Sequence, residues 1–199
     1  MTPGIEIHVP SDLRQLYEVH EYRHAAALLY SEFPDLYKEI CDGLRSFRFT
    51  RTQVVESGGN ESEIPKTFSG ILRPKGWIEG KLSAAVVVDS QTIQQDTHKI
   101  DYIKGRVAFD LEWNSKDQTF DRDLFAFRTF FDYNKISVGI IVTRSEDLNS
   151  LFRELGITQK YGASTTHLGK LLPRLKAGRG GGCPLLIFGI TRRLLQEEE

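Results

Sequence analysis

Asp101, Asp110 and Glu112 stand in the stretch Ile100 to Lys116, IDYIKGRVAFDLEWNSK, at a spacing that can gather three carboxylates on one small divalent cation. Val107 to Trp113 is rich in β-branched and aromatic residues and follows a Lys104-Gly105 turn, so it reads as a strand. Side chains two apart on a strand share a face, which points Asp110 and Glu112 the same way and sends Leu111 into the opposite layer. Asp101 ends the preceding strand in this reading, and a hairpin carries its carboxylate back toward the pair. Convergent carboxylates repel one another and are costly to desolvate unless a cation neutralises them. Mg²⁺ prefers hard oxygen ligands, takes only one or two carboxylates as a rule, and fills its octahedron with water and substrate phosphate oxygens. Such an ion can generate hydroxide and stabilise the charge that develops as a phosphodiester is cut. Acidic residues at alternate strand positions also occur where a strand simply faces solvent, so the rest of the chain has to support the chemical reading.

Charge distribution supplies part of that support. The chain carries 26 Lys+Arg against 27 Asp+Glu, a net charge of -1, which excludes an indiscriminate polycation. From Lys160 to Arg193, however, there is no Asp or Glu, while Lys160, Lys170, Arg174, Lys176, Arg179, Arg192 and Arg193 all lie there beside Gly178, Gly180, Gly181 and Gly182. A basic surface next to a carboxylate cluster suits a polyanion held beside a metal. The loop Gln159 to His167 offers Tyr161, Ser164, Thr165, Thr166 and His167 as hydrogen-bonding groups for base edges or phosphates, and Lys170 follows on the next helix. Ser and Thr at this place can equally cap that helix. Arg179 sits among glycines that would let backbone approach DNA closely. A second basic segment, Arg45 to Arg51, reads as a half-buried strand with arginines at its rim.

These residues resemble a known family. The run Asp101 to Glu112, an aromatic and basic helix, the strand ISVGIIVTR and the segment LLPRLKAGRGGGCPLLIFGI are similar to the BglII/BstYI group of type II restriction endonucleases. The resemblance is close over the last hundred residues or so and extends upstream to Lys75-Gly-Trp-Ile-Glu79. The family pattern is a variant of the PD-(D/E)xK nuclease signature, an Asp and, after an eight-residue gap, Glu-x-Gln. By that resemblance Asp101 and Asp110 are the metal ligands, with the Leu111 carbonyl as an additional one. Glu112 stands where the family has Gln and the wider superfamily has Lys, an arrangement similar to that of BamHI. A glutamate there can accept a proton from attacking water or bind a second metal, which glutamine does poorly. Lys104 and Lys116 are spare candidates for a lysine role, and Glu79 for a fourth, upstream site residue.

The elements that must position these groups follow from periodicity. Ser11-Asp12 predicts a helix through about His20, with Tyr22 to Ser31 and Pro34 to Leu44 also in helical period. Arg45 to Val55 has a β pattern, Glu56 to Glu63 reads as a loop, Lys66 to Leu72 as a short helix and Leu82 to Val88 as a strand. Asp121 to Tyr133 is a helix with Leu124, Phe127 and Phe131 on a broad apolar face and Arg122 among its polar positions. Ile136 to Thr143 is a strand covered on both faces. A helix then carries Leu148, Leu151, Phe152 and Leu155, another opens at Thr165-Thr166 and is shortened or kinked by Pro173, and Pro184 to Ile190 is the last strand.

The expected fold is therefore α/β: a restriction-endonuclease-like core with a central mixed β-sheet flanked by helices and a helical N-terminal addition. Length and composition predict a single endonuclease domain over 1–199, with 1–44 helical and the catalytic core at about 77–190. No stretch of 18 apolar residues and no secretory leader is present, which predicts a soluble bacterial or archaeal cytoplasmic protein without a membrane role. Cys41 and Cys183 are too few for a disulfide framework or cysteine metal site. Gly178 to Gly182 lacks the Lys-Ser/Thr of a phosphate loop, and His20 and His24, four apart, lack a third zinc ligand nearby. The activity expected is that of a homodimeric, Mg²⁺-dependent type II restriction endonuclease cutting double-stranded DNA at a short palindromic site and leaving 5′-phosphates. Two alternatives use the same residues: a repair or recombination nuclease on the same core, and a DNA-binding protein without chemistry.

Overall fold

The computed structural model describes residues 3–56, 62–96 and 98–196. Helices α1 (Pro3–His8) and α2 (Ser11–Leu16) lead into strand β1 (Tyr17–Tyr22), followed by α3 (Ala25–Glu32), α4 (Pro34–Ser46), α5 (Arg51–Val55) and α6 (Glu63–Leu72). Next come β2 (Ile78–Gly80), β3 (Ser83–Val88), β4 (Gln91–Asp96), β5 (Ile100–Lys104) and β6 (Val107–Glu112). The chain continues through α7 (Thr119–Asp132), β7 (Val138–Arg144), α8 (Asn149–Glu154), α9 (Leu168–Lys176) and β8 (Leu185–Ile190). Six strands form one sheet in the order β1-β8-β7-β6-β5-β2. Strands β6, β7 and β8 run parallel, and β1, β5 and β2 join antiparallel, so the sheet is mixed and flanked by helices as expected.

Burial explains the composition of the three parallel strands. Every residue of β6, β7 and β8 is buried, because both faces of the sheet are covered. Alternation splits them between two apolar layers. Phe109, Leu111, Ile140, Val142 and Phe188 pack under the N-terminal helices and α8, whereas Ala108, Ile141 and Ile187 pack under α7 and α9. Gly139 and Gly189 let those last two helices settle on the sheet. A Cβ at Gly139 would lie 2.4 Å from Phe127 of α7, and one at Gly189 would lie 2.4 Å from Leu168 of α9.

The amino-terminal half departs from its predicted elements in two places. The helix beginning at Ser11 stops at Leu16, and Tyr17–Tyr22 is an edge strand paired with β8. The alternation of buried Tyr17 and Val19 with exposed Glu18 matches that role, but only the remote strand β8 makes it productive. His20 therefore lies on a strand, 2.8 Å from Glu18, and His24 caps α3 in the left-handed conformation, so the two do not share a helix face. The β pattern of Arg45 to Val55 is likewise overridden. Helix α4 runs to Ser46, and α5 starts at Thr50 with a capping box in which Thr50 and Gln53 each bond the other's backbone N–H. Phe47 and Phe49 between them are fully buried.

Leu82 to Val88 does contain a strand, but β3 pairs only with β4 in a separate two-stranded ribbon turned by Asp89 and Ser90 at positive φ. Of the predicted loop Glu56 to Glu63, residues 57–61 lie outside the described residues, and Glu63 begins α6. Both cysteines are buried thiols. Among the described residues no helix is long and apolar enough to cross a membrane.

Candidate active site

The β5–β6 hairpin turns at Gly105, whose φ of +57° suits the first position of a two-residue hairpin, and Lys104 pairs with Val107. From there the ladder runs to Tyr102 and Phe109. One step further, side chains replace it. The Asp101 amide donates to Asp110 Oδ1 at 2.9 Å, and the Leu111 amide donates to Asp101 Oδ2 at 3.2 Å. Asp101 therefore lies near the start of β5, not at its end, and the sheet itself fixes its carboxylate against that of Asp110.

Glu112 is two residues further along the same face of β6, only 9% exposed, and its main-chain oxygen accepts from Thr143 Oγ1 at 2.7 Å. The Leu111 side chain is in the opposite layer. A fourth acid, Asp123, comes down onto the group from α7 and is 2% exposed. Glu112 and Asp123 are hydrogen-bonded to each other, yet Glu112 Oε2 and Asp123 Oδ2 are buried without a partner. Desolvation raises all four carboxyls. It pushes Glu112 up to about 7 and, joined by repulsion from Glu112, Asp123 up to about 9. Asp110 is raised by burial and by its neighbours Asp101 and Asp123, and Asp101 by burial above all.

Buried carboxylate oxygens without donors fit a divalent cation, the one partner that would neutralise several of them at once. Among the described residues no group of three or more His, Cys, Asp and Glu side chains is gathered closely enough to hold one metal ion. A divalent cation here would draw one or two carboxylates from the chain and its remaining ligands from water and phosphate oxygens.

The spare lysines of the sequence reading occupy other posts. Lys104 Nζ donates to both oxygens of Glu39, at 2.7 and 2.8 Å, and to the Lys75 carbonyl at 2.7 Å. Glu39 also accepts from the indole of fully buried Trp77 at 2.9 Å, so the Lys-Gly-Trp segment is a packing anchor for the hairpin. Lys116 forms an isolated bridge with Thr165. Glu79 lies exposed on β2, paired with Lys99 at 2.7 Å, and is near enough to Asp101 to raise it.

The loop 159–167 is tied to the chain that leaves Glu112. Asp117 donates its amide to the Ser164 carbonyl at 2.9 Å, and Thr166 donates its amide to the Ser115 carbonyl at 2.9 Å. Arg144, 1% exposed at the end of β7, pins both segments, donating to the Trp113 carbonyl at 2.6 Å and to Thr165 Oγ1 at 2.5 Å. Its guanidinium lies over the rings of Tyr161 and Phe152, 4.9 and 5.5 Å from their centroids. Desolvation lowers it to about 10.

Of the loop's polar groups, Ser164 is exposed, His167 and Lys170 are half-buried, Thr165 is engaged by Arg144, and Thr166 is fully buried. Neither threonine caps α9, whose N-cap residue is His167. Arg179 pairs with Asp121, and Arg174 pairs with Asp121 at 3.1 Å and Asp117 at 3.2 Å, so part of the basic C-terminal charge is already balanced from α7.

Asp123 escaped the sequence reading, although the signal was present. It shares a helical stripe with Phe120 and Phe127, both fully buried, and a carboxylate on such a stripe must be buried too.

Comparison with curated proteins gives no match. A family model, Restriction endonuclease BglII/BglIII, matches residues 17–190, from the first residue of the edge strand β1 to the last of β8. The chain belongs to the BglII/BglIII restriction endonuclease family and is a site-specific deoxyribonuclease.

Proposed function

We propose that this endonuclease is a homodimeric, Mg²⁺-dependent type II enzyme that cuts both strands of a short palindromic DNA site and leaves 5′-phosphates. The observation that carries this reading is the juxtaposition of Asp101 and Asp110 by their mutual backbone bonds, with Glu112 and Asp123 presenting unpartnered oxygens beside them. Asp101 and Asp110 would hold the ion, with the Leu111 carbonyl as an additional ligand and Glu112 as either a ligand or a base. Mg²⁺ bound there would supply charge stabilisation of the phosphoryl transition state and a more acidic water.

The residues do the rest. Asp101 and Asp110 are held in register by the hairpin, so they pay little reorganisation on binding. Glu112, raised by burial, stands beside that pair where it could take a proton from the attacking water. The two apolar layers that bury Asp110 and Glu112 exclude bulk water and strengthen each charge interaction. The 159–167 loop and the basic segment behind it would contact DNA through Ser164, Thr165, Thr166, His167, Lys170 and Arg179. Thr165, Thr166 and Arg179 would reach DNA only by exchanging their present surroundings for it.

Dimerisation follows from the count of sites. One carboxylate cluster per chain cuts one strand, and a two-fold protein matches a two-fold sequence. Helix α7 leaves Phe125 45% exposed, which is compatible with a second copy covering it.

Incubating the purified protein with unmethylated phage DNA and Mg²⁺, beside an EDTA control, tests the reading. Reproducible discrete bands with ligatable 5′-phosphate ends, absent in EDTA, are expected. Random degradation would favour a repair nuclease, and intact DNA that still shifts in a gel would leave binding alone.

A further inference from the structure

The four acids divide by what holds their oxygens. Asp110 Oδ1 and Asp101 Oδ2 accept main-chain amides, at 2.9 and 3.2 Å, so one oxygen of each of these carboxylates is satisfied by the hairpin. Glu112 Oε2 and Asp123 Oδ2 accept nothing, although Glu112 is only 9% exposed and Asp123 2%. A buried carboxylate oxygen without a donor is costly, and two side by side are costlier, unless a cation lies between them.

Packing brings this second pair together. Ala108, Asp110 and Glu112 alternate onto one face of β6, and Ala108 packs in the layer under α7. Ala108 pairs with Gly139 of β7, and a Cβ at Gly139 would meet Phe127 of α7 at 2.4 Å, so Phe127 marks where the helix crosses that row. Helix α7 starts beyond the carboxyl end of β6 and runs back over it. Four residues back along the helix from Phe127 is about 6 Å and two residues along β6 is about 6.6 Å, so Asp123 comes down over the row of Asp110 and beside Glu112. Phe120, Leu124 and Phe127, all fully buried, seal it there.

We infer that Glu112 and Asp123 form a second divalent-cation seat, in which Asp123 is a ligand supplied by α7. The inference rests on the metal-dependent cleavage proposed above and adds to it a helix-borne ligand and a second ion. One or two carboxylates are the usual protein share for Mg²⁺, the remaining positions going to water and phosphate oxygens. A second ion would share with the first the charge that builds up on the phosphoryl group. Glu112 serves as a ligand in this arrangement. The two seats differ in build: main-chain amides hold Asp101 and Asp110 in place, whereas Glu112 and Asp123 meet across a strand and a helix with no donor for their free oxygens.

The test counts Mn²⁺ bound to the DNA-free full chain from the free-ion signal in electron paramagnetic resonance, with the melting temperature in EDTA checking the fold of each variant. Wild type is expected to bind two ions, Asp123→Asn one, Asp110→Asn one, and the double variant none. Asp121→Asn removes the same charge from α7 and is expected to keep both ions, which separates a ligand from a long-range charge effect. A wild type that binds one ion overturns the inference, the buried pair then being held by a shared proton alone. An Asp123→Asn variant that keeps two ions overturns it as well, and so does an equal loss in Asp121→Asn. Two ions retained by Asp110→Asn would overturn the seat at Asp101 and Asp110 instead and leave the second standing.

Discussion

Asp101 and Asp110 are cross-connected through the backbone. The amide of Asp101 donates to the carboxylate of Asp110 at 2.9 Å, and the amide after Asp110 donates to the carboxylate of Asp101 at 3.2 Å. Each acid is thereby aimed by the other's strand, at the point where the ladder between β5 and β6 gives way to side chains.

This relationship separates two substitutions that are usually treated alike. Asp101→Asn keeps an oxygen for the Leu111 amide and removes only charge, whereas Asp101→Ala also leaves that amide without its acceptor. Both are expected to lower the cleavage rate by at least about 10²-fold. Only the alanine variant should also lose stability, by about 1–3 kcal/mol, the cost of an unsatisfied partly buried donor. Urea denaturation beside single-turnover rates checks the pair.

The metal-free protein should lose stability as pH rises. Glu112 goes from 4.5 to about 7 on folding and Asp123 from 3.8 to about 9. Both values are raised in the folded state, so their stabilising contribution is complete below pH 4 and is lost as pH climbs through the folded values. The melting temperature in EDTA is expected to fall from pH 5 to pH 9. Asp123→Asn should flatten that decline and melt higher than wild type at pH 8, by roughly 2–4 °C for each kcal/mol of repulsion relieved. Divalent cation should reverse the trend, binding more tightly at pH 8 than at pH 6, because it competes with those protons. Calorimetric titration with Mg²⁺ at the two pH values reads this directly.

How much of this was legible in the sequence varied by element. The period-2 placement of Asp110 and Glu112 and the continuous apolar runs of β7 and β8 are local signals, and each spells the strand that it forms. Strand β1 is not legible in this way, because a six-residue segment after a good helix start becomes a strand only when β8 arrives from the far end of the chain. Thr50 and Gln53 do spell a capping box, but the alternating arginines and phenylalanines before them outweighed it. At the site, the hairpin's acids were visible and Asp123 was not, since its importance depends on which helix face meets the sheet. That orientation is set by contacts such as Phe127 against Gly139.

Arg144 connects the chain leaving the β5–β6 hairpin to the loop 159–167, which is proposed to contact DNA. Arg144→Met keeps apolar bulk among Tyr161, Phe152 and Trp113 but loses the bonds to the Trp113 carbonyl and Thr165. A loss of about 2–4 kcal/mol in stability is expected. Amide exchange should speed up selectively over 159–167, and discrimination between the mapped site and one-base variants should weaken. Uniform exchange across the sheet would show instead that Arg144 acts on the whole core.

Lys104 offers a control. Its bonds to Glu39 and the Lys75 carbonyl anchor the hairpin from behind the site. Lys104→Met is expected to cost about 1–2 kcal/mol in stability and to change the cleavage rate less than threefold below the melting transition. A rate loss of 10²-fold in folded protein would show that Lys104 serves the reaction directly.

The most direct test of the central claim compares wild type and Asp110→Asn on a duplex carrying the mapped site, with binding followed in Ca²⁺ and cleavage started by Mg²⁺. The hairpin carboxylates are predicted to be needed for the chemical step alone. The variant should bind within about tenfold of wild type and cleave at least about 10³-fold more slowly at every Mg²⁺ concentration. Cleavage by Asp110→Asn at a rate near wild type would contradict the account and move the catalytic centre elsewhere on the chain.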